Sequence, residues 1–82
     1  MTPEEFKRRT KQFALRAIKL VDSLPQRRTA DVIGKQLLRS ATSVGANYRA
    51  AIRSRSRADF VAKMGIIAEE CDETAYWIEV LM

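Results

Sequence analysis

The sequence has no histidine, a single cysteine, three glycines and two prolines in 82 residues. Each scarcity excludes something. Without histidine there is no Ser-His-Asp or Cys-His nucleophile system. Without histidine and with only Cys71, the usual zinc ligand sets are also out of reach, and Cys71 has no partner for an internal disulfide. So few glycines and prolines mark a folded rather than a disordered chain. No apolar run approaches the ~20 residues of a membrane span. The opening Met1-Thr2-Pro3-Glu4-Glu5 is polar and acidic, unlike a secretory signal, so a cytoplasmic location is expected. Gly34-Lys35 is followed by glutamine, which excludes a P-loop. No cofactor, metal or catalytic constellation is expected, and the chain reads as a non-enzyme.

What is present is hydrophobic residue (46%) and charge (30%), enough for a folded chain. One domain fits in this length, with a core small enough that self-association is the expected supplement. The net charge of +5 is unevenly spread. Residues 1–57 hold fourteen basic residues against four acids, a balance of +10, whereas residues 58–82 hold Lys63 against six acids, a balance of −5. Such asymmetry points to a polyanion-binding surface or to docking of one part of the chain on another.

Three amphipathic helices are predicted, about residues 3–23, 29–53 and 57–82. Thr2, Pro3 and Glu5 start the first as cap, first helical residue and capping-box partner, and Phe6, Thr10, Phe13, Ala17, Leu20 and Leu24 form its stripe. Leu24-Pro25 ends it. Thr29 is the expected cap of the second helix, whose stripe is Ile33, Leu37, Ala41, Val44, Tyr48 and Ala51. Its centre is rich in small residues, which permit close helix approach. Ser56 with Asp59 starts the third, with Phe60, Met64, Ile67, Cys71, Ala75 and Ile78 as its stripe and Cys71 read as a small buried hydrophobe. Ile66, Tyr76, Trp77 and Val80 fall outside that stripe, so the third helix should meet a further neighbour, and these four with Asn47 are the candidate oligomer interface. Helices joined by short loops give an all-α, up-down antiparallel bundle.

Two clusters could carry function. Lys35, Arg39, Arg49 and Arg53 lie opposite the apolar stripe of the second helix, supported by Arg8 and Lys19 on the first and by Arg27, Arg28, Arg55 and Arg57 in the loops. Arginines outnumber lysines ten to five, which suits bidentate phosphate contacts, and RNA or DNA is the expected ligand. The acids Glu69, Glu70, Asp72 and Glu73 are expected to pair with arginines of a neighbouring helix or subunit rather than hold a metal. Tyr48, Tyr76 and Trp77 are read as packing residues rather than base-stacking platforms.

Three ordered segments carry a family resemblance. Residues 36–48, Gln-Leu-Leu-Arg-Ser-Ala-Thr-Ser-Val-Gly-Ala-Asn-Tyr, resemble the Q-L-x-R-S-x-x-S-[IV]-x-A-N signature of the bacterial four-helix-bundle family named for proteins encoded in 23S rRNA intervening sequences. Ser56 to Met64 resembles its S-x-x-D-F-x-x-K-[LM] segment, and Glu70 to Ile78 its E-x-x-E-T-x-Y-W-[IL] segment. The same fold is shared by the accessory variability protein of diversity-generating retroelements, a basic homopentamer that partners a reverse transcriptase and nucleic acid. The resemblance implies a bundle assembling into a ring, a pentamer by analogy, without implying catalysis. Family members usually carry a fourth helix, which these 82 residues do not encode. Cover for the apolar positions of the third helix is therefore expected from residues beyond Met82 or from other subunits.

Overall fold

A computed structural model describes residues 1–82 as three helices and no strands: α1 (Pro3–Asp22), α2 (Arg28–Ala51) and α3 (Arg57–Leu81). The Thr2 hydroxyl accepts from the Glu5 amide at 3.1 Å, with Pro3 in the first turn, so the expected α1 cap is formed. Ser56 caps α3 in the same way, accepting from the Asp59 amide at 3.1 Å. Both place an acid where the helix dipole favours it.

The start of α2 departs from expectation. Thr29 is not its cap. The Arg27 amide closes a turn onto the Pro25 carbonyl at 2.9 Å, and the chain enters the helix directly afterwards, with Arg27 at the cap position and no side chain bonding the first amides. Thr29 consequently lies inside the first turn. At the other end α2 stops at Ala51, two residues before the expected Arg53, where the Arg53 and Ser54 amides bond back to Ala50 and Ala51.

The helices run antiparallel, and α2 is the middle one. It packs along its length on α1 and on α3, while the backbones of α1 and α3 do not come close to each other. The result is an open bundle, 44 × 20 × 15 Å, shaped as a bent layer rather than a closed three-helix cylinder. Close approach of α1 and α2 depends on two glycines. A Cβ added at Gly34 would lie 3.0 Å from Val21, and one at Gly45 would lie 3.2 Å from the Thr10 hydroxyl. Phe6 and Tyr48 stack across the same junction with ring centres 4.4 Å apart. The small-residue centre of α2 is thus where its neighbour comes nearest.

Between α2 and α3 the core is Val44, Tyr48, Ala51 and Ile67, flanked by Phe6, Phe13 and Met64. Beside it is a buried polar contact. The Thr74 hydroxyl lies 2.8 Å from that of Ser40, which donates to the Leu37 carbonyl at 3.1 Å, and both residues are almost wholly buried. Every oxygen of the pair has a partner, so burial carries no unsatisfied-group penalty.

The face of α3 that meets α2 is rotated from the expected stripe. Ile67 and Thr74 are its buried residues, with Glu70 and Trp77 half-buried beside them. Phe60, Cys71 and Ala75 are exposed, and Met64 and Ile78 only half-buried. Cys71 is therefore not the buried hydrophobe its position in the stripe suggested, because α1 does not reach across to cover it. Between α1 and α3 there remains an apolar groove made of two adjoining hollows of about 340 and 260 Å³. They share Phe13, with Leu20 and Ile78 towards one end and Phe6 and Cys71 towards the other.

Candidate nucleic-acid interface

The side of the layer away from that groove is basic. On α2, Arg28, Lys35 and Arg49 are exposed and share the outward side by helical position, and Arg53 is exposed in the turn just beyond the helix end. The α1–α2 junction adds Lys7 and Lys11. These two and Arg49 form the banks of a shallow cleft of about 430 Å³, whose floor includes Ala14, Gly45 and Ala46. The close contact of Gly45 with α1 sets the register that brings Lys7 and Lys11 level with Arg49. Acids near this face are few. Glu4 reaches Lys7 at 3.7 Å, and Asp22 and Asp31 sit with Lys35 at the α1–α2 turn.

Not every expected cation belongs here. Arg39 turns to α3, where its guanidinium contacts Glu70 at 3.3 Å and pairs with Glu73. The Gln36 side chain accepts from its Nε at 3.2 Å. The Trp77 indole N–H donates to the same Glu73 carboxylate at 2.9 Å. Arg39 is thus held by the acids that were expected to seek an arginine on a neighbouring helix, while Glu69 and Asp72 remain exposed without an ion pair. Arg27 and Arg28 lie at one end of the layer, Arg55 and Arg57 at the other, a helix length of ~36 Å apart, so the two loop pairs do not share one compact site. Arg8 and Lys19 are exposed on α1, away from the cleft floor. Helical periodicity already turns Lys11 outward on α1, whereas Lys7 is the member it does not single out, since the α1–α2 register is what groups both with Arg49.

Two ionisable groups are perturbed. Asp59 is held below the ordinary carboxylate range, first by its hydrogen bond from Lys63 at 2.7 Å, on the exposed first turn of α3. Partial desolvation, with a smaller contribution from neighbouring Glu70, raises the Cys71 thiol above its usual value. No group of three or more Cys, Asp or Glu side chains converges in a metal-ligating arrangement. No helix is long and apolar enough to cross a membrane.

The candidate interface residues on α3 divide. Ile66, Tyr76 and Val80 are exposed at 44, 55 and 45%, so half of each large side chain has no cover within the chain. Trp77 is half-buried and tied to Glu73. Asn47 is half-buried, and its amide donates to the Ser43 carbonyl at 2.8 Å within α2 instead of reaching across helices.

The sequence profile of the 23S rRNA-intervening sequence proteins matches residues 4–82. The chain belongs to that family. A crystal structure of a protein of unknown function from Bacteroides thetaiotaomicron VPI-5482, assigned to the S23 ribosomal protein family, superposes with a TM-score of 0.88 at 42% identity. The match covers 99% of the present chain and 72% of the Bacteroides chain. No curated protein matches. The family assignment extends to the first helix, beyond the three segments that carry the resemblance, because residues 4–82 take in nearly all of α1.

Proposed function

We propose that this member of the 23S rRNA-intervening sequence protein family is a non-enzymatic, cytoplasmic, oligomeric nucleic-acid-binding protein. The observation that carries the reading is the face formed by Lys7, Lys11, Arg28, Lys35, Arg49 and Arg53, which only Glu4, Asp22 and Asp31 offset. Cations fixed on rigid helices bind phosphate without reading sequence, and the attraction falls steeply with salt. The test is binding of a labelled structured RNA from about 50 to 200 mM salt. Six phosphate contacts correspond to a loss of ~10³ in affinity over that range. Lys35, Arg49 and Arg53 changed together to glutamate abolish binding with helicity intact. Arg39 is left out of that variant because it is engaged with Glu70 and Glu73. Unchanged binding would sink the assignment.

A second reading is an assembly scaffold recognising a protein, such as a reverse transcriptase, without nucleic-acid contact. The exposed Ile66, Tyr76 and Val80, with the apolar α1–α3 groove, favour self-association into a ring. Sedimentation of a Tyr76→Glu, Ile66→Glu variant tests it, because these side chains have least to do with the internal packing of the chain. A ring that survives both changes counts against this interface. Trp77 is a poorer probe, since its removal also frees Glu73.

A further inference from the structure

We infer that the basic face takes a duplex, held by its phosphate backbone along α2, in preference to a single strand. The inference rests on the nucleic-acid reading above and adds the class of ligand. Single-stranded ligands are held by a charged groove together with aromatic platforms on which bases stack. All six aromatics of this chain lie elsewhere. Phe6 and Tyr48 are stacked on each other inside the α1–α2 junction, Phe13 lines the α1–α3 groove, and Phe60, Tyr76 and Trp77 belong to α3. The basic face therefore offers charge and no stacking surface.

The spacing of that charge suits a stiff ligand. Arg28, Lys35 and Arg49 recur on a seven-residue period along one helix, which sets them on a nearly straight line of ~31 Å. A duplex is stiff over ~150 base pairs and can lie along such a line without loss of conformational freedom. At position 42 of the same period stands Thr42, which with Thr10 also lines the cleft whose floor includes Ala14, Gly45 and Ala46. Nothing longer than a methyl group rises from those three floor residues. A phosphate strand can therefore sink between Lys7 and Lys11 on one bank and Arg49 on the other, while the rest of the duplex follows α2. Both duplex RNA and duplex DNA present this chemistry, and comparing them tells which the face prefers.

The experiment uses the whole chain and labelled ligands of about 20 nucleotides per strand, twice the ~9 base pairs that ~31 Å spans at 3.4 Å per step. The ligands are a duplex RNA, a duplex DNA and an unstructured single strand of the same length. The duplexes are expected to bind at least ~10-fold more tightly than the single strand near 50 mM salt, with a steeper dependence of log affinity on log salt. Lys11→Glu, Arg49→Glu is expected to reduce the duplex slope by about 2, one for each lost phosphate contact, with unchanged circular dichroism. A single strand that binds as tightly as the duplexes, or more tightly, overturns the duplex inference and leaves the nucleic-acid reading standing. Failure of all three ligands to bind at low salt overturns both.

Discussion

Gly65 tests whether the outer side of α3 is free in the isolated chain. It sits in the middle of a 25-residue helix, and a Cβ added there meets nothing within 4 Å. Glycine in a helix interior costs about 1 kcal/mol relative to alanine, largely through backbone entropy in the unfolded chain. Gly65→Ala therefore gains about 1 kcal/mol, because no contact opposes the entropic term. For a domain of this size that corresponds to a rise in melting temperature of about 4–8 °C. Gly45→Ala gains the same entropy, but its methyl would press on the Thr10 hydroxyl at 3.2 Å, offsetting much of the gain. Gly34→Ala would bring a methyl to 3.0 Å from the stiff, branched Val21, and overpacking of this kind costs about 1–3 kcal/mol, so it destabilises. The assay is thermal unfolding by circular dichroism over a dilution series. The expected order of melting temperature is Gly65→Ala above wild type, Gly45→Ala near it and Gly34→Ala below. A Gly65→Ala protein that melts at or below wild type at the lowest concentration refutes the reasoning.

Other perturbations separate the remaining contacts. Thr74→Val removes a buried hydroxyl while Ser40 keeps the Leu37 carbonyl, so the loss is about 1 kcal/mol in denaturant titration, and Ser40→Ala adds little further once Thr74 is valine. Arg39→Gln costs at most about 1 kcal/mol, since the guanidinium is half exposed and its ion pairs are screened, yet it shifts the fluorescence of the sole tryptophan through Glu73. The Asp59 carboxyl has its pKa lowered in the folded state, so its stabilising effect is present at neutral pH and is lost as pH falls through the lowered value. The stability difference between wild type and Asp59→Asn should accordingly vanish in acid. Cys71 is exposed with a raised pKa, so a disulfide reagent should label it slowly at neutral pH and faster as pH rises, without prior unfolding.

Periodicity and cap chemistry made much of this fold legible. Thr2 and Ser56 cap where expected because a local side-chain–backbone bond decides each start. Thr29 fails because Pro25 shapes a turn that admits the chain to the helix two residues early, and the cap preference of threonine is weaker than that constraint. The α2 stripe was readable since α2 has neighbours on two sides, so Leu37, Ala41, Val44, Tyr48 and Ala51 are buried. On α3 the reading erred at Cys71 and Ala75, because an apolar residue is covered only if another helix arrives, and α1 stops short of α3. Arg39 and Lys7 exchanged roles for a related reason. Charge position on one helix gives direction, but which acid or which second cation lies opposite depends on the register between helices, set at Gly45 and at the Ser40–Thr74 contact.

The middle position of α2 also governs how the molecule can come apart. Because the backbones of α1 and α3 do not come close, the two interfaces act largely in series, like neighbouring units of a linear array. α1 can detach while the α2–α3 pair keeps its buried hydroxyls and its Arg39 clasp, although the departure of Phe6 and Phe13 uncovers one flank of the core around Tyr48 and Ile67. The reverse is not available to α2, whose melting releases both partners at once. Amide exchange should therefore reveal a ladder rather than one opening, with α1 protected least and the central turns of α2 protected most. Any ligand that bridges Lys7 or Lys11 to Arg49 would fasten the loosest rung.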